Sequence, residues 1–300
     1  MTQALTKPQP TMISQLWQNR RTRDFWFKLI IYALLLGLGF LFMVPFLFML
    51  SSSLKDPQEV WKVPPSWIPN PVFWQNYPYA LAQMPFFGYF RNTVLLVIGV
   101  EVGRLLTASM TAYAFARLRF RWRGPLFILV LSTMMIPYQV TLIPQYLIFK
   151  ELRWLNSLLP LIVPAFFGGG AFYVFLLRQF FMTIPLDYDD AARIDGANYL
   201  AIFLRIILPL SMPVLGTVAI FTFMEQWNDL LGPLIYLNTA DKQTLSIGIA
   251  MWSKGGAYPA VHFFSHTMAI ALLMSLPPVV IFFVFQRHFI QGVVISGVKG

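Results

Sequence analysis

The sequence predicts an all-α integral membrane protein with six transmembrane helices. Three observations carry this prediction. Hydrophobic residues make up 57% of the 300 and charged residues only 11%, where soluble domains carry about 25% charged residues. The run from Leu29 to Leu54 contains no charge, and it is long enough to cross about 30 Å of hydrocarbon. The remaining charges sit in short runs at the ends of apolar stretches.

Each element can be justified in order. Met1 to Asp24 is a polar arm without the pattern of a cleaved signal. The first span covers Phe25 to Ser52. Lys55 to Pro85 then holds Pro57, Pro64, Pro65, Pro69, Pro71, Pro78 and Pro85 with Trp61, Trp67 and Trp74. Prolines interrupt helices and tryptophans favour the headgroup zone. This segment is therefore expected to be an external loop on the membrane, with a short helix near Val72 to Met84. The second span is expected over Tyr89 to Ala116, the third over Leu126 to Phe149 and the fourth over Leu158 to Phe181. Pro137 and Pro144 lie inside the third. Gly168-Gly169-Gly170 lies in the fourth and permits close packing or a kink. The fifth span is expected over Ser211 to Leu237. Asn238 to His262 then forms an external loop, and Phe263 to Gln286 forms the sixth span. The organisation is thus an arm (residues 1–24), a six-helix membrane domain (25–286) and a tail (287–300).

Six spans place both termini on one side, and the basic residues indicate which. Fourteen lysines and arginines fall on the side of the termini and seven on the other, led by Arg117, Arg119, Arg121 and Arg123. The positive-inside rule then predicts cytoplasmic termini in the cell membrane. The formal charge of +10 does not indicate nucleic acid, because no basic, aromatic-laced soluble face exists to meet phosphates. Cysteine is absent and the only histidines are His262, His266 and His288. Disulfides, thiolate metal sites and cysteine nucleophiles are excluded, and a His-rich metalloenzyme is disfavoured.

The loop between spans four and five, residues 182–210, is the most informative stretch. Asp187 is expected to cap a helix, with Asp190 three residues on favouring its dipole. Asp195-Gly196 ends that helix. A second helix then aligns Tyr199, Ile202, Phe203, Ile206 and Ile207 on one face. Pro209 and Pro213 mark the start of span five. Asp190-Ala191-Ala192 is followed three residues later by Gly196 and, nine residues after that, by Ile206-Ile207-Leu208-Pro209.

This spacing resembles the EAA motif of ABC importer permeases: Glu-Ala-Ala, three residues, Gly, nine residues, Ile-x-Leu-Pro. Asp190 departs from it, keeping the charge one methylene shorter. The resemblance implies a cytoplasmic coupling helix that docks on a separate ATPase, with Asp190, Ala191, Ala192, Asp195, Gly196, Ile206, Leu208 and Pro209 in the coupling segment. The tail, Gln286 to Gly292 and then Gly297-Val298-Lys299-Gly300, resembles the end of the G-type permease of maltose-like sugar importers. In that family the tail reaches the ATPase subunits. Trp227-Asn228-Asp229 with Pro233-Leu234 also resembles a sugar-permease pattern. The implied assembly is two related permeases, two ATPase subunits holding ATP and Mg, and an extracytoplasmic solute-binding protein. No cofactor or metal is expected on this chain, and no enzyme activity.

Charges inside the spans suggest a path. Acidic groups are costly in hydrocarbon and face bundle interiors or water. Glu225, Trp227, Asn228 and Asp229 are candidates to line a solute pathway, with Trp227 stacking a sugar ring and the polar groups accepting hydroxyls. Glu101 and Arg104, three residues apart, are expected to pair with each other. A proton- or cation-coupled secondary transporter using Glu101, Glu225 and Asp229 is the main rival reading. The chain carries no Walker A pattern, so an ATP-driven machine would draw its energy from partners.

Overall fold

A computed structural model describes residues 20–62, 64, 66–253 and 263–297, and all regular structure among them is helical. Four segments are long and apolar enough to cross a bilayer: Asp24–Ser53, Phe86–Arg117, Leu159–Phe181 and Phe264–Gln286. The count becomes six when two bent pairs each serve as one span. The helices are α1 (Arg20–Ser53), α2 (Asn76–Gln83), α3 (Phe86–Arg117), α4 (Arg123–Ser132), α5 (Tyr138–Glu151), α6 (Leu159–Ile162) and α7 (Ala171–Phe181). After these come α8 (Asp187–Ile194), α9 (Tyr199–Leu210), α10 (Met212–Asn228), α11 (Leu231–Tyr236), α12 (Leu245–Ser253) and α13 (Phe263–Gly297).

Three predicted spans are not straight. The third breaks between Arg123–Met135 and Tyr138–Glu151, which meet at 97°. Pro137 is the cause. It has no N–H, and its ring drives the preceding residue out of the helical region; Ile136 is extended, at φ −83° and ψ 114°. Pro144 is carried within α5 without a break. The fourth span is interrupted by a 3₁₀ turn at Val163–Phe166 and by three glycines with positive φ, at 90°, 68° and 89°. The fifth ends its main helix at Asn228, and α11 completes it after the extended Asp229.

Helix α3 is the hub. It packs against α7, α10, α12 and the interrupted start of span four. In lipid, helices associate through close contact rather than water exclusion, so small residues mark the seams. Gly99 and Gly103 form such a seam. A Cβ on Gly99 would lie 2.8 Å from Ile162, and one on Gly103 would lie 2.6 Å from the Phe166 ring. One turn on, the Thr107 hydroxyl donates to the Ala165 carbonyl at 2.9 Å, meeting a backbone group that the break leaves open. Gly169 then sits directly on Ala108.

Two apolar clusters lie at opposite ends of the bundle. One joins Ala112, Leu177, Phe181, Ile202, Ile207 and Val218 near the loop that carries α8 and α9. The other joins Met84, Tyr89, Trp227, Leu245, Trp252 and Ile270. At that second end the loop predicted over Asn238 to His262 is not wholly external. Its α12 buries Leu245 and Ile247 completely, and residues 254–262 fall outside the described set. Asn92 on α3 donates to the carbonyls of Asp241 and Gln243, both at 2.9 Å, and Thr93 accepts from the Leu245 N–H. These bonds satisfy the backbone where α12 begins. The short helix expected near Val72 to Met84 exists as α2, anchored by Asn76 donating to the Ser53 and Lys55 carbonyls. Helix α13 runs beyond the expected end at Gln286 as far as Gly297, so most of the predicted tail is helical backbone.

The glycine break yields a controlled test. At Gly168 a Cβ would meet nothing within 4 Å, whereas at Gly169 it would lie 2.5 Å from the Ala108 backbone nitrogen. Both residues have positive φ, which costs a non-glycine residue about 1–2 kcal/mol. Only Gly169 adds an overpacking cost of about 1–3 kcal/mol. Gly169→Ala should therefore lower the thermal stability of the purified protein clearly more than Gly168→Ala. Size-exclusion chromatography after a temperature series in detergent reads the difference.

Candidate functional site

The loop after α7 folds as two short helices around a turn, as its sequence pattern predicts. The cap differs from expectation. Leu186 holds the N-cap position of α8 with helical backbone, and Asp187, Asp189 and Asp190 all lie in the first turn. The chain arrives already turning, with the Asp189 and Asp190 N–H groups bonded to the Leu186 carbonyl. No extended cap residue is left for Asp187 to provide. The three carboxylates still complement the positive helix end. A side-chain cap occurs one helix later, where Asn198 Oδ1 accepts from the Ala201 N–H at 2.8 Å.

Gly196 makes the turn between the helices at φ 82° with open space around it. The N–H groups of Asp195, Gly196 and Ala197 close back onto the carbonyls of Ala191, Arg193 and Ala192. In α9 a π-helical turn spans Phe203–Ile207. Ile202, Phe203 and Ile207 of the predicted stripe are buried, Ile206 is half-buried, and Tyr199 is exposed. The opposite surface of the loop is bare. Ile194 is 88% exposed, and Leu186, Tyr188, Asp190, Ala191 and Asp195 are also exposed. A shallow depression of about 570 Å³ beside them is lined by Pro185, Asp187, Tyr188, Ala191, Ala192, Asp195 and Ile206. Asp190 makes only a loose 3.6 Å ion pair with Arg193, and both are open to solvent.

What holds this loop was not evident from its own sequence. Arg117, the last residue of α3, has a side chain only 2% exposed. It donates to the Phe181 carbonyl at 2.8 Å and the Ile184 carbonyl at 2.7 Å, and faces Asp189 at 3.8 Å. Burial pushes the Asp189 carboxyl above the usual range, and the Arg117 guanidinium opposes that rise. Tyr113, one turn earlier on α3, donates to the Tyr199 carbonyl at 3.1 Å. One face of α3 thus grips both short helices. The sequence signal was an arginine at a span end beside a doubled acid, Asp189-Asp190, of which only the second matched the motif.

A second polar site lies in the middle of the bundle. Arg104 pairs with Glu225 at 2.6 Å, and Tyr173 donates to the same carboxylate at 2.7 Å. The guanidinium lies over the Tyr173 ring at 4.4 Å. This corrects the expected Glu101–Arg104 pair, because Arg104 turns toward α10 instead. Both carboxylate oxygens of Glu101 are buried without a hydrogen-bond partner among the described residues. Of the predicted pathway residues, Glu225 and Asn228 have exposed faces. Asp229 caps α11 by accepting from the Gly232 N–H at 3.2 Å. Trp227 cannot stack a solute. It is 2% exposed, lies against Phe223 and donates to the Met274 carbonyl at 3.1 Å. Helical phase explains this, since Trp227 points away from the Glu225 and Asn228 face of α10. Of the predicted tail residues, Gly297 ends α13, and Val298, Lys299 and Gly300 lie outside the described residues.

A helical bundle of this build, with ionic groups shared between spans and a braced helical loop at one end, has the form of a polytopic transport subunit. The chain belongs to the family described as "Binding-protein-dependent transport system inner membrane component", which matches residues 104–295. It is 32% identical to the osmoprotective compounds uptake permease protein GgtD of Synechocystis sp., over the whole of both chains. It is 33% identical to the arabinooligosaccharides transport system permease protein AraQ of Halalkalibacterium halodurans, covering 90% of this chain and 98% of that one. Identity to the sn-glycerol-3-phosphate transport system permease protein UgpE of Yersinia enterocolitica is 32%, covering 93% and 99%. The fold also matches a solved bacterial ABC transporter involved in alginate import, with a TM-score of 0.77 at 24% identity over 90% of this chain and 98% of that one.

The chain is therefore a membrane permease subunit of an ABC importer, a transport component rather than an enzyme. Membership of this family implies ATPase and solute-binding protein partners and a multi-pass place in the inner membrane. The secondary-transporter alternative finds no support.

The Arg117 clamp gives a second prediction. Removing one member of a buried charge pair costs about 3–5 kcal/mol, because the other is left uncompensated. Arg117→Gln should destabilise the protein more than Asp189→Asn, since it also releases the two carbonyls. The double variant should lose less than the sum of the singles. Thermal unfolding of the three variants in detergent measures this directly.

Proposed function

We propose that this permease moves a sugar or sugar-like solute into the cytoplasm by alternating access, driven by ATP hydrolysis on separate subunits that dock at the α8–α9 loop. The observation that carries the reading is the construction of that loop. Its inner face is clamped by Arg117 and Tyr113, while its outer face leaves Ile194, Tyr188 and Leu186 bare in water. Apolar side chains held rigidly in an exposed position suit a protein partner. The spacing of Asp190, Ala191, Ala192, Asp195, Gly196, Ile206, Leu208 and Pro209 supports the same role, with the loop and both termini cytoplasmic.

The assembly in this reading contains a second, related permease, two ATPase subunits that hold ATP and Mg, and an extracytoplasmic solute-binding protein. In this reading the tail, Gly297 to Gly300, contributes to the contact with the ATPases. The outward apolar face of α1, exposed from Phe25 to Leu50, meets lipid and the second permease. Glu225, Asn228 and Asp229 belong to the solute path or its border, and Trp227 is a packing residue beneath it. The solute class is supported by relatives named for osmoprotective compounds, arabinooligosaccharides and glycerol phosphate.

Gly196→Pro tests the coupling role. Proline is held near φ −65°, far from the 82° found here, and removes the N–H that bonds to Arg193. The variant should insert and accumulate normally, yet its uptake should fall at least about tenfold while the assembled complex still hydrolyses ATP. Full uptake by Gly196→Pro would show that the loop does not transmit the stroke. In the parent protein, collapsing the proton gradient while ATP is maintained should leave uptake intact.

A further inference from the structure

The cluster of Arg104, Tyr173 and Glu225 joins α3, α7 and α10, yet its members are not equally enclosed. The Arg104 side chain is 13% exposed, while that of Glu225 is 50% exposed. Arg104 spends its charge inward, on Glu225 and on the Thr222 hydroxyl at 3.4 Å. Tyr173 is buried, and its hydroxyl is committed to the same carboxylate. The surface of the cluster is thus a carboxylate, with the cation beneath it. An ionised carboxylate half open toward hydrocarbon would be costly, so this face belongs on water.

The neighbours of Glu225 extend the same face. Asn228 lies three residues on along α10 and is exposed. Phe221 lies four residues before Glu225, with its ring 6.3 Å from that of Phe172 on α7. Phe172 is itself exposed. A carboxylate, an amide and two aromatic rings on one strip are suited to a polyhydroxylated solute. The oxygens accept hydroxyl hydrogen bonds, and the rings cover the apolar C–H faces of a sugar ring. No second cation stands in the cluster among the described residues. Asp229, next along the helix, adds negative rather than positive charge.

We propose that this strip is the permease's share of the solute path and that it selects solutes without net negative charge, neutral glycosides or polyols over phosphorylated or uronic-acid sugars. The proposal rests on the reading of Glu225 as a pathway residue and adds the charge of the cargo. A phosphate or carboxylate passing the strip would meet Glu225 before Arg104, and like charges at close range in a cleft repel.

The chain contains no cysteine, so Asn228→Cys places a single thiol on the strip. The complete importer is assembled in lipid nanodiscs, which leave both faces open to solution. It is treated with membrane-impermeant methanethiosulfonates carrying either a trimethylammonium or a sulfonate group. Labelling is read as a mass change of this chain, and rates are normalised to a free thiol. The cationic reagent should react about tenfold faster than the anionic one, and adding Glu225→Gln, which leaves Arg104 without its counter-charge, should abolish that preference or reverse it. Phe221→Cys, on the same strip, repeats the measurement if the first variant does not assemble. Labelling without a charge preference, or with a preference that Glu225→Gln leaves unchanged, overturns the charge selection and leaves Glu225 on a water-filled path. Failure of both reagents at both positions overturns the pathway reading as well. ATP-dependent uptake, measured separately on the parent importer, is the independent check on the importer assignment.

Discussion

The interrupted fourth span lies against a run of small residues on α3, and the other functional parts are placed by that contact. Gly99 and Gly103 admit Ile162 and Phe166 to within van der Waals reach of a helix backbone, and Gly169 rests on Ala108. Without a hydrophobic effect between helices in lipid, such close approach is the main source of association energy. It sets where α7 begins and therefore where Tyr173 meets Arg104. It also sets where α7 ends, and the carbonyls at that end are the ones Arg117 grips. Helix α3 is continuous from the seam to the clamp. Arg104 and Arg117 stand thirteen residues apart on it, about 20 Å along the axis. A displacement of the clamped loop would reach the intramembrane ion pair through this single rigid element.

Polar groups inside the bundle follow the rule that they must be satisfied locally. Thr107 and Thr217 bond back to carbonyls one turn earlier, Trp227 donates to a carbonyl of α13, and Asp229 caps α11. Arg104 and Glu225 neutralise each other. Glu101 departs from the rule, with both carboxylate oxygens buried and unpartnered among the described residues. It lines an apolar cavity of about 410 Å³ between α3, α10 and α13, together with Val97, Phe223, Trp227 and Ile281.

The comparison with relatives separates two levels of function. One family covers permeases named for osmoprotective compounds, oligosaccharides and a phosphorylated polyol. A shared bundle and loop can therefore serve solutes of different charge, which places selectivity in side chains on the path and in the other subunits. In the proposed reading the loop between α7 and α10 serves the energy source, and the Glu225 strip serves the cargo.

Much of this was legible in the chain itself. Uncharged runs of sufficient length announce spans, because hydrocarbon tolerates little else. The order Asp190-Ala-Ala, Gly196, Ile206 to Pro209 announces two short helices about a glycine turn, because only glycine takes φ 82° without strain and proline starts the next span. Those are local properties, and local sequence determines them. The partners of the charges were not legible. Glu101 and Arg104 are neighbours on one helix, yet Arg104 chooses a carboxylate 121 residues away, because α10 brings Glu225 to its front while Glu101 turns toward α13. Trp227 and Asn228 are adjacent in sequence but lie on different faces of α10, one packed and one open. The brace on the loop comes from Arg117 and Tyr113, distant in sequence and brought there by the packing of α3 against α7. A span's length is written in its composition, but which face meets which neighbour is decided by interlocking side chains across helices, and that exists only once the bundle has formed.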